Sequence, residues 1–141
     1  MSFYLDTSAL VPIFIREAQT DAMVSWISQM PEEVAVADLT VAEFRSQLSR
    51  RVRKGELTPA QTDGVGAEFD RWRQAAASPL ENLPVDIRAA ARLVRMPTPK
   101  LLTPDAIHLA TCARLGITLV TYDLRLIEAG RREKVATLSP S

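Results

Sequence analysis

Five short apolar runs punctuate the chain, and stretches with helical spacing fill the gaps between them. The first run is Phe3-Tyr4-Leu5, closed by Asp6-Thr7-Ser8, a pattern that predicts a buried strand opening into a helix. Helices are predicted over 9–16 and 20–30; the second carries Ala22, Met23, Trp26, Ile27 and Met30 at helical spacing. Pro31-Glu32-Glu33 reads as a turn and Val34-Ala35-Val36-Ala37 as a second strand. Thr40 opens a long helix in which Val41, Phe44, Leu48 and Val52 keep the period, ending at Gly55. Thr58-Pro59 starts another helix that reaches about Ala76, with Gly64 and Gly66 weakening its middle. Leu83-Pro84-Val85 predicts a third strand, 86–96 a helix, and 96–103, with two prolines, a loop. Thr103 is a good N-cap and Pro104 suits the first helical position, so a helix is expected to run to Leu115 and stop at Gly116. Ile117-Thr118-Leu119-Val120-Thr121 is the clearest strand; Asp123 then caps a helix to Ala129, and Val135-Ala136-Thr137-Leu138 is the last strand.

Apolar strands that alternate with helices predict a parallel sheet covered on both faces. The expectation is therefore an α/β fold, three layers with about five parallel strands, forming one domain over 1–141. A chain of 141 residues is the size of one domain. In such sheets ligands bind outside the carboxyl ends of the strands, where strand order reverses. Asp6 follows the first strand directly and Asp123 follows the fourth. Glu43 is expected in the first turn of the helix after the second strand. Connectivity thus places three acids on one rim. Asp105, in the first turn of the 103–115 helix, can join them.

Four carboxylates on one rim repel one another, and a divalent cation removes that cost. All-oxygen ligands with no Cys or His cluster select hard ions, so Mg²⁺ or Mn²⁺ rather than zinc. Such a site suits hydrolysis of a phosphodiester. Each acid also has a plainer reading. Asp6 and Asp123 are natural N-caps, Thr40-x-x-Glu43 is a capping box, and the helix dipole stabilises Asp105 by roughly 0.3–1 kcal/mol. His108 reads as a packed or hydrogen-bonded helix residue rather than a base, and Cys112, Trp26 and Trp72 as packing residues.

Charge changes what a nucleic-acid partner needs. The 17 basic and 17 acidic residues cancel, so binding must rest on a local basic patch. Arg45, Arg50, Arg51, Arg53 and Lys54 supply the candidate, beside the plainer reading of a solvated helix end. A single cysteine excludes an intrachain disulfide and fits a reducing compartment. The N-terminus lacks a signal-peptide pattern and the apolar runs are too short to span a bilayer, so a cytoplasmic protein without a membrane partner is expected.

Four motifs together resemble PIN-domain proteins, specifically VapC-type toxins of bacterial toxin–antitoxin pairs. They are Tyr4-Leu5-Asp6-Thr7-Ser8-Ala9-Leu10, Thr40-Val41-Ala42-Glu43-Phe44, the run from Leu102 through Asp105 to Thr111, and Val120-Thr121-Tyr122-Asp123. The resemblance covers essentially the whole chain in order and spacing. It implies an Mg²⁺- or Mn²⁺-dependent ribonuclease with Asp6, Glu43, Asp105 and Asp123 as its metal-holding acids. Thr7 or Ser8 resembles the supporting hydroxyl beside the first acid. A homodimer and a cognate antitoxin are also implied. Rival enzyme classes fit less well: an aspartyl phosphatase wants a second acid where Ser8 stands, a receiver domain wants paired acids after its first strand, and no G-x-G-x-x-G follows that strand. The alternative from another class is a PIN-like module that holds RNA or protein without cutting.

Overall fold

A computed structural model of the chain describes residues 2–141. In chain order the elements are β1 (Phe3–Leu5), α1 (Thr7–Phe14), α2 (Thr20–Gln29), β2 (Val34–Ala37), α3 (Asp38–Arg53) and α4 (Pro59–Ala76). They continue as β3 (Ala77–Leu80), α5 (Pro84–Leu93), α6 (Thr103–Leu115), β4 (Thr118–Val120), α7 (Leu124–Glu133) and β5 (Thr137–Leu138). The strands form one sheet in the order β3-β2-β1-β4-β5, and every pairing is parallel.

The central strands are apolar on both faces because each face meets a helical layer. Tyr4, Ala35, Ala37 and Leu119 point into one core with Leu93, Leu109 and Leu126 of α5, α6 and α7. Leu5, Val34, Val36 and Val120 point into the other, with Met23, Phe44 and Phe69 of α2, α3 and α4. The Phe44 and Phe69 rings stack tilted with centroids 4.3 Å apart, locking α3 to α4. The expected three-layer α/β fold is therefore the one adopted.

The third strand lies elsewhere than predicted. Ala77–Leu80 pairs with β2, whereas Leu83 and Pro84 begin α5. Pro79 is tolerated because β3 is a sheet edge. Pro84 takes the first turn of a helix, where a missing N–H costs nothing. Helix starts also shift: α1 begins at Thr7 and α5 at Pro84, each two residues before the expected position. α3 begins at Asp38, so Glu43 is in its second turn, and α6 begins at Thr103 itself after Leu102, with no side-chain cap. α7 continues past Ala129 to Glu133. Gly66 does not break α4: a Cβ there would come 2.6 Å from Arg45 Nη1, so glycine is where the arginine crosses the helix.

From β1 the chain moves outward through β2 to β3, then crosses back to β4 on the other side of β1 and on to β5. Strand order thus reverses between β1 and β4, and the crevice outside their carboxyl ends is the natural ligand site. Among the described residues no helix is long and apolar enough to cross a membrane.

Candidate active site

Asp6 leaves β1 at that crevice and Asp123 leaves β4 three residues after Val120. Asp6 is almost fully buried and is the N-cap of α1, accepting the Ala9 N–H on Oδ1 at 3.0 Å. Ser8 Oγ donates to the same oxygen at 2.7 Å, and the buried Thr121 hydroxyl donates to Oδ2. Burial pushes the Asp6 carboxyl up, against the pull of the Thr121 and Ser8 hydrogen bonds. Asp123 caps α7 through Arg125 N–H at 2.9 Å and Leu126 N–H at 3.3 Å. Both acids are caps as the plain reading held, and both stand at the switch point. Capping and placement coincide because a helix N-terminus faces the same crevice.

Glu43, Asp105 and Asp123 line a single cavity of about 530 Å³ with Thr7, Ser8 and Arg51, and Asp6 lies buried beside it. No capping box forms at Glu43. Thr40, already inside α3, donates instead to the Leu5 carbonyl at 3.1 Å, and Glu43 Oε1 accepts from Thr7 Oγ1 at 2.7 Å and from His108 Nε2. Burial would raise the Glu43 carboxyl, but the hydrogen bonds from His108 and Thr7 hold it below its usual range. Asp105 has the opposite balance. Burial first, then the charges of Asp123, Asp6 and Glu43, push it up to about 6. The four acids therefore share one electrostatic field.

The two hydroxyls divide the work: Ser8 serves Asp6 and Thr7 serves Glu43. The basic residues spread out. Arg51 lines the acid-bearing cavity, its Nη2 2.6 Å from Glu17, and Arg50 lines a small hollow with Glu43 and Gln47. Arg45 is bound to Asp70 at 2.8 Å and lies over the Phe69 ring; Arg53 donates to Ser49, and Lys54 is the C-cap of α3. Sequence reasoning missed Thr121, Tyr4 and Asn82, and met His108 only as a packed or hydrogen-bonded residue. For His108 a signal existed: it stands three residues after Asp105, on the same face of α6.

Among the described residues no three His, Cys, Asp or Glu side chains form a ready-made ion cage. The donors nevertheless fit a hard divalent ion. Every candidate is a carboxylate or hydroxyl oxygen, and Mg²⁺ keeps several waters and commonly takes only one or two carboxylates. The Asp105 carboxyl is raised first by burial and then by repulsion from its acidic neighbours, and a cation would relieve the repulsion.

The chain that carries this sheet and these acids matches the PIN domain family model over residues 3–132, and it belongs to the PIN domain family. It is similar to Ribonuclease VapC35 of Mycobacterium tuberculosis, 32% identical over 142 residues, which cover 97% of this chain and 96% of that one. Its fold is similar to the crystal structure of Mycobacterium tuberculosis VapC20, described as a sarcin–ricin loop cleaving toxin. The TM-score there is 0.73 at 18% identity, covering 92% of this chain and 95% of that one. A toxin–antitoxin complex from Klebsiella pneumoniae shares the fold with a TM-score of 0.66 at 18% identity, covering 99% and 98%.

Proposed function

We propose that this chain is an Mg²⁺- or Mn²⁺-dependent endoribonuclease, the toxin of a toxin–antitoxin pair, with Asp6, Glu43, Asp105 and Asp123 as its working acids. One observation carries the reading: Glu43, Asp105 and Asp123 meet at one cavity beside buried Asp6, at the switch point of a PIN fold. The ribonuclease name of a relative matched over nearly its whole length supports the same activity. Toxin–antitoxin complexes among the structural relatives support an antitoxin partner. A homodimer belongs to the same reading, and sedimentation of the purified chain checks it.

Asp6, Asp105 and Asp123 are the residues that would hold the ion, with Glu43 orienting water or a second ion. When bound, Mg²⁺ or Mn²⁺ lowers the pKa of a water and offsets charge on the in-line transition state. The chain's own groups prepare that chemistry. Thr121, Ser8 and the α1 N-terminus fix Asp6 in one orientation, and the α7 N-terminus fixes Asp123. Glu43, kept ionised, can accept a proton or hydrogen bond from water in the cavity. Arg51 sets a positive charge in the same wall, suited to a backbone phosphate.

The test is cleavage of a panel of structured RNAs with Mg²⁺, Mn²⁺ or chelator, beside Asp6→Asn. Asparagine still caps a helix, so the variant keeps the fold while losing the charge. Metal-dependent cleavage that disappears in Asp6→Asn is the expected outcome. RNA binding without cleavage, unchanged by the substitution, would instead establish an inactive binding module.

A further inference from the structure

One hydrogen-bonded chain runs from the end of edge strand β3 to the acids. It starts at Asn82, between β3 and α5, whose Oδ1 accepts the Leu39 N–H at 2.9 Å. That bond orients the amide so that Nδ2 does the donating, to Thr111 Oγ1 at 2.9 Å and to Tyr4 Oη at 3.2 Å. The Thr111 hydroxyl hydrogen goes to the Ile107 carbonyl at 2.8 Å, which leaves Oγ1 as an acceptor and agrees with that orientation. Tyr4 is fully buried, and burial holds it as the phenol. Its oxygen accepts from Asn82, and its hydroxyl lies against Nδ1 of His108. His108, itself buried, meets Glu43 Oε1 through Nε2.

Only one neutral form of His108 satisfies every member. With hydrogen on Nε2, the Tyr4 hydroxyl donates to Nδ1 and Nε2–H donates to the Glu43 carboxylate. With hydrogen on Nδ1, the imidazole lone pair on Nε2 would face a carboxylate oxygen, and the Tyr4 hydroxyl hydrogen would lose Nδ1 as its acceptor. Thr7 also donates to Oε1, so both bonds take the same Glu43 oxygen, and Oε2 accepts no hydrogen bond among the described residues.

We propose that His108 is a positioning residue: its Nε2–H form, set by Tyr4 and Asn82, pins Oε1 of Glu43 and leaves Oε2 for the ligand of the cavity. The role in catalysis rests on the ribonuclease reading above; the hydrogen-bond polarity does not. Histidine held through its second nitrogen is a recurrent way to fix an acid or a metal ligand, and losing such a support typically costs 10–100-fold in metal affinity or activity.

His108 is the chain's one histidine, so long-range ¹H–¹⁵N correlation of its ring nitrogens in metal-free protein reads the tautomer directly. The expected spectrum shows hydrogen on Nε2, with the preference relaxed in Tyr4→Phe, which keeps the core shape and deletes the hydroxyl. Mn²⁺ titration supplies the second readout. His108→Leu is expected to weaken binding about 10–100-fold, while His108→Gln, which retains a donor to Glu43, recovers most of the loss. If His108→Leu fails to fold, Tyr4→Phe carries the same titration and is expected to weaken binding in the same direction. Hydrogen on Nδ1 in the wild type overturns the proposal, as does a folded His108→Leu that binds Mn²⁺ like the wild type. A wild type that binds no Mn²⁺ and cuts no RNA defeats the ribonuclease reading instead, and the tautomer with its response to Tyr4→Phe then decides the positioning role by itself.

Discussion

Asp86 shows how little of a residue's role its local sequence discloses. It reads as an ordinary acid in the first turn of a helix, yet it is buried to 1% exposure. Arg114 of α6 grips it twice, Nε to Oδ1 at 2.7 Å and Nη2 to Oδ2 at 3.0 Å, and Leu83 N–H adds a third bond at 2.8 Å. Burial would raise its carboxyl, but the arginine and the N–H outweigh it and hold it below the ordinary value of 3.8. A carboxyl depressed in the folded state stabilises the fold above its unfolded value and loses that contribution as pH falls through the folded one. Asp86→Asn is therefore expected to cost about 1.5–3 kcal/mol at neutral pH, the range for hydrogen bonds to charged groups. The gap between variant and wild type in urea denaturation should stay constant above about pH 4 and narrow below it. A gap independent of pH down to 2 would mean that the ion pair contributes nothing. The same lesson holds for the four acids: their types and order were legible, but whether Glu43 met its own helix or His108 was not.

Elements were read best where local chemistry and burial agree. Thr58-Pro59 announces α4, and the structure closes it with a reciprocal box: Gln61 N–H donates to Thr58 Oγ1 at 3.1 Å, and Thr58 N–H to Gln61 Oε1 at 2.8 Å. Thr58→Ala should cost about 1 kcal/mol, measurable as a lower denaturation midpoint with an unchanged slope. A neutral substitution would show that packing of Phe69 and its neighbours alone holds α4. The third strand was misplaced for a physical reason. Ala77-Ser78-Pro79-Leu80 is short and carries a serine and a proline in its middle, so it shows no strand period; it is a strand because β2 offers it a parallel partner at the sheet edge. The start of α3 was set two residues late in a similar way, since Asp38 and Leu39 became helical without a side-chain cap, with Leu39 N–H satisfied by the distant Asn82. Gly116, with φ of 65°, ends α6 where its sequence said it would, because only the left-handed region closes that helix.

At the scale of the molecule, the acids are a liability that binding should repay. A cation bound by the folded state alone stabilises it by RT ln(1 + [L]/Kd), about 2.7 kcal/mol at a hundred times Kd. Mn²⁺ should therefore raise the thermal midpoint by several degrees, and the rise should shrink in Asp105→Asn. The variant should also melt higher than wild type without metal, since it removes a carboxyl that burial and then its acidic neighbours push up to about 6. Equal shifts in the two proteins would place the ion away from Asp105. With no net charge on the chain, RNA attraction must come from local charge, and of the five basic residues of α3 and its cap, Arg51 is the one in the acid-lined cavity.

The sequence by itself determined the alternation of strands and helices, the double-faced apolar strands and hence the parallel sheet. With them came the placement of Asp6 and Asp123 at its carboxyl edge. These follow from period, capping and connectivity, which are local and additive. Only the tertiary structure decided that Asp105 joins that edge, that Thr121 binds Asp6, and that Asn82, Tyr4, His108 and Glu43 form one hydrogen-bonded line. Those partners lie dozens of residues apart, on different strands and helices. A hydrogen bond between them depends on ångström-scale packing of the two layers, and no periodicity along a chain encodes that distance.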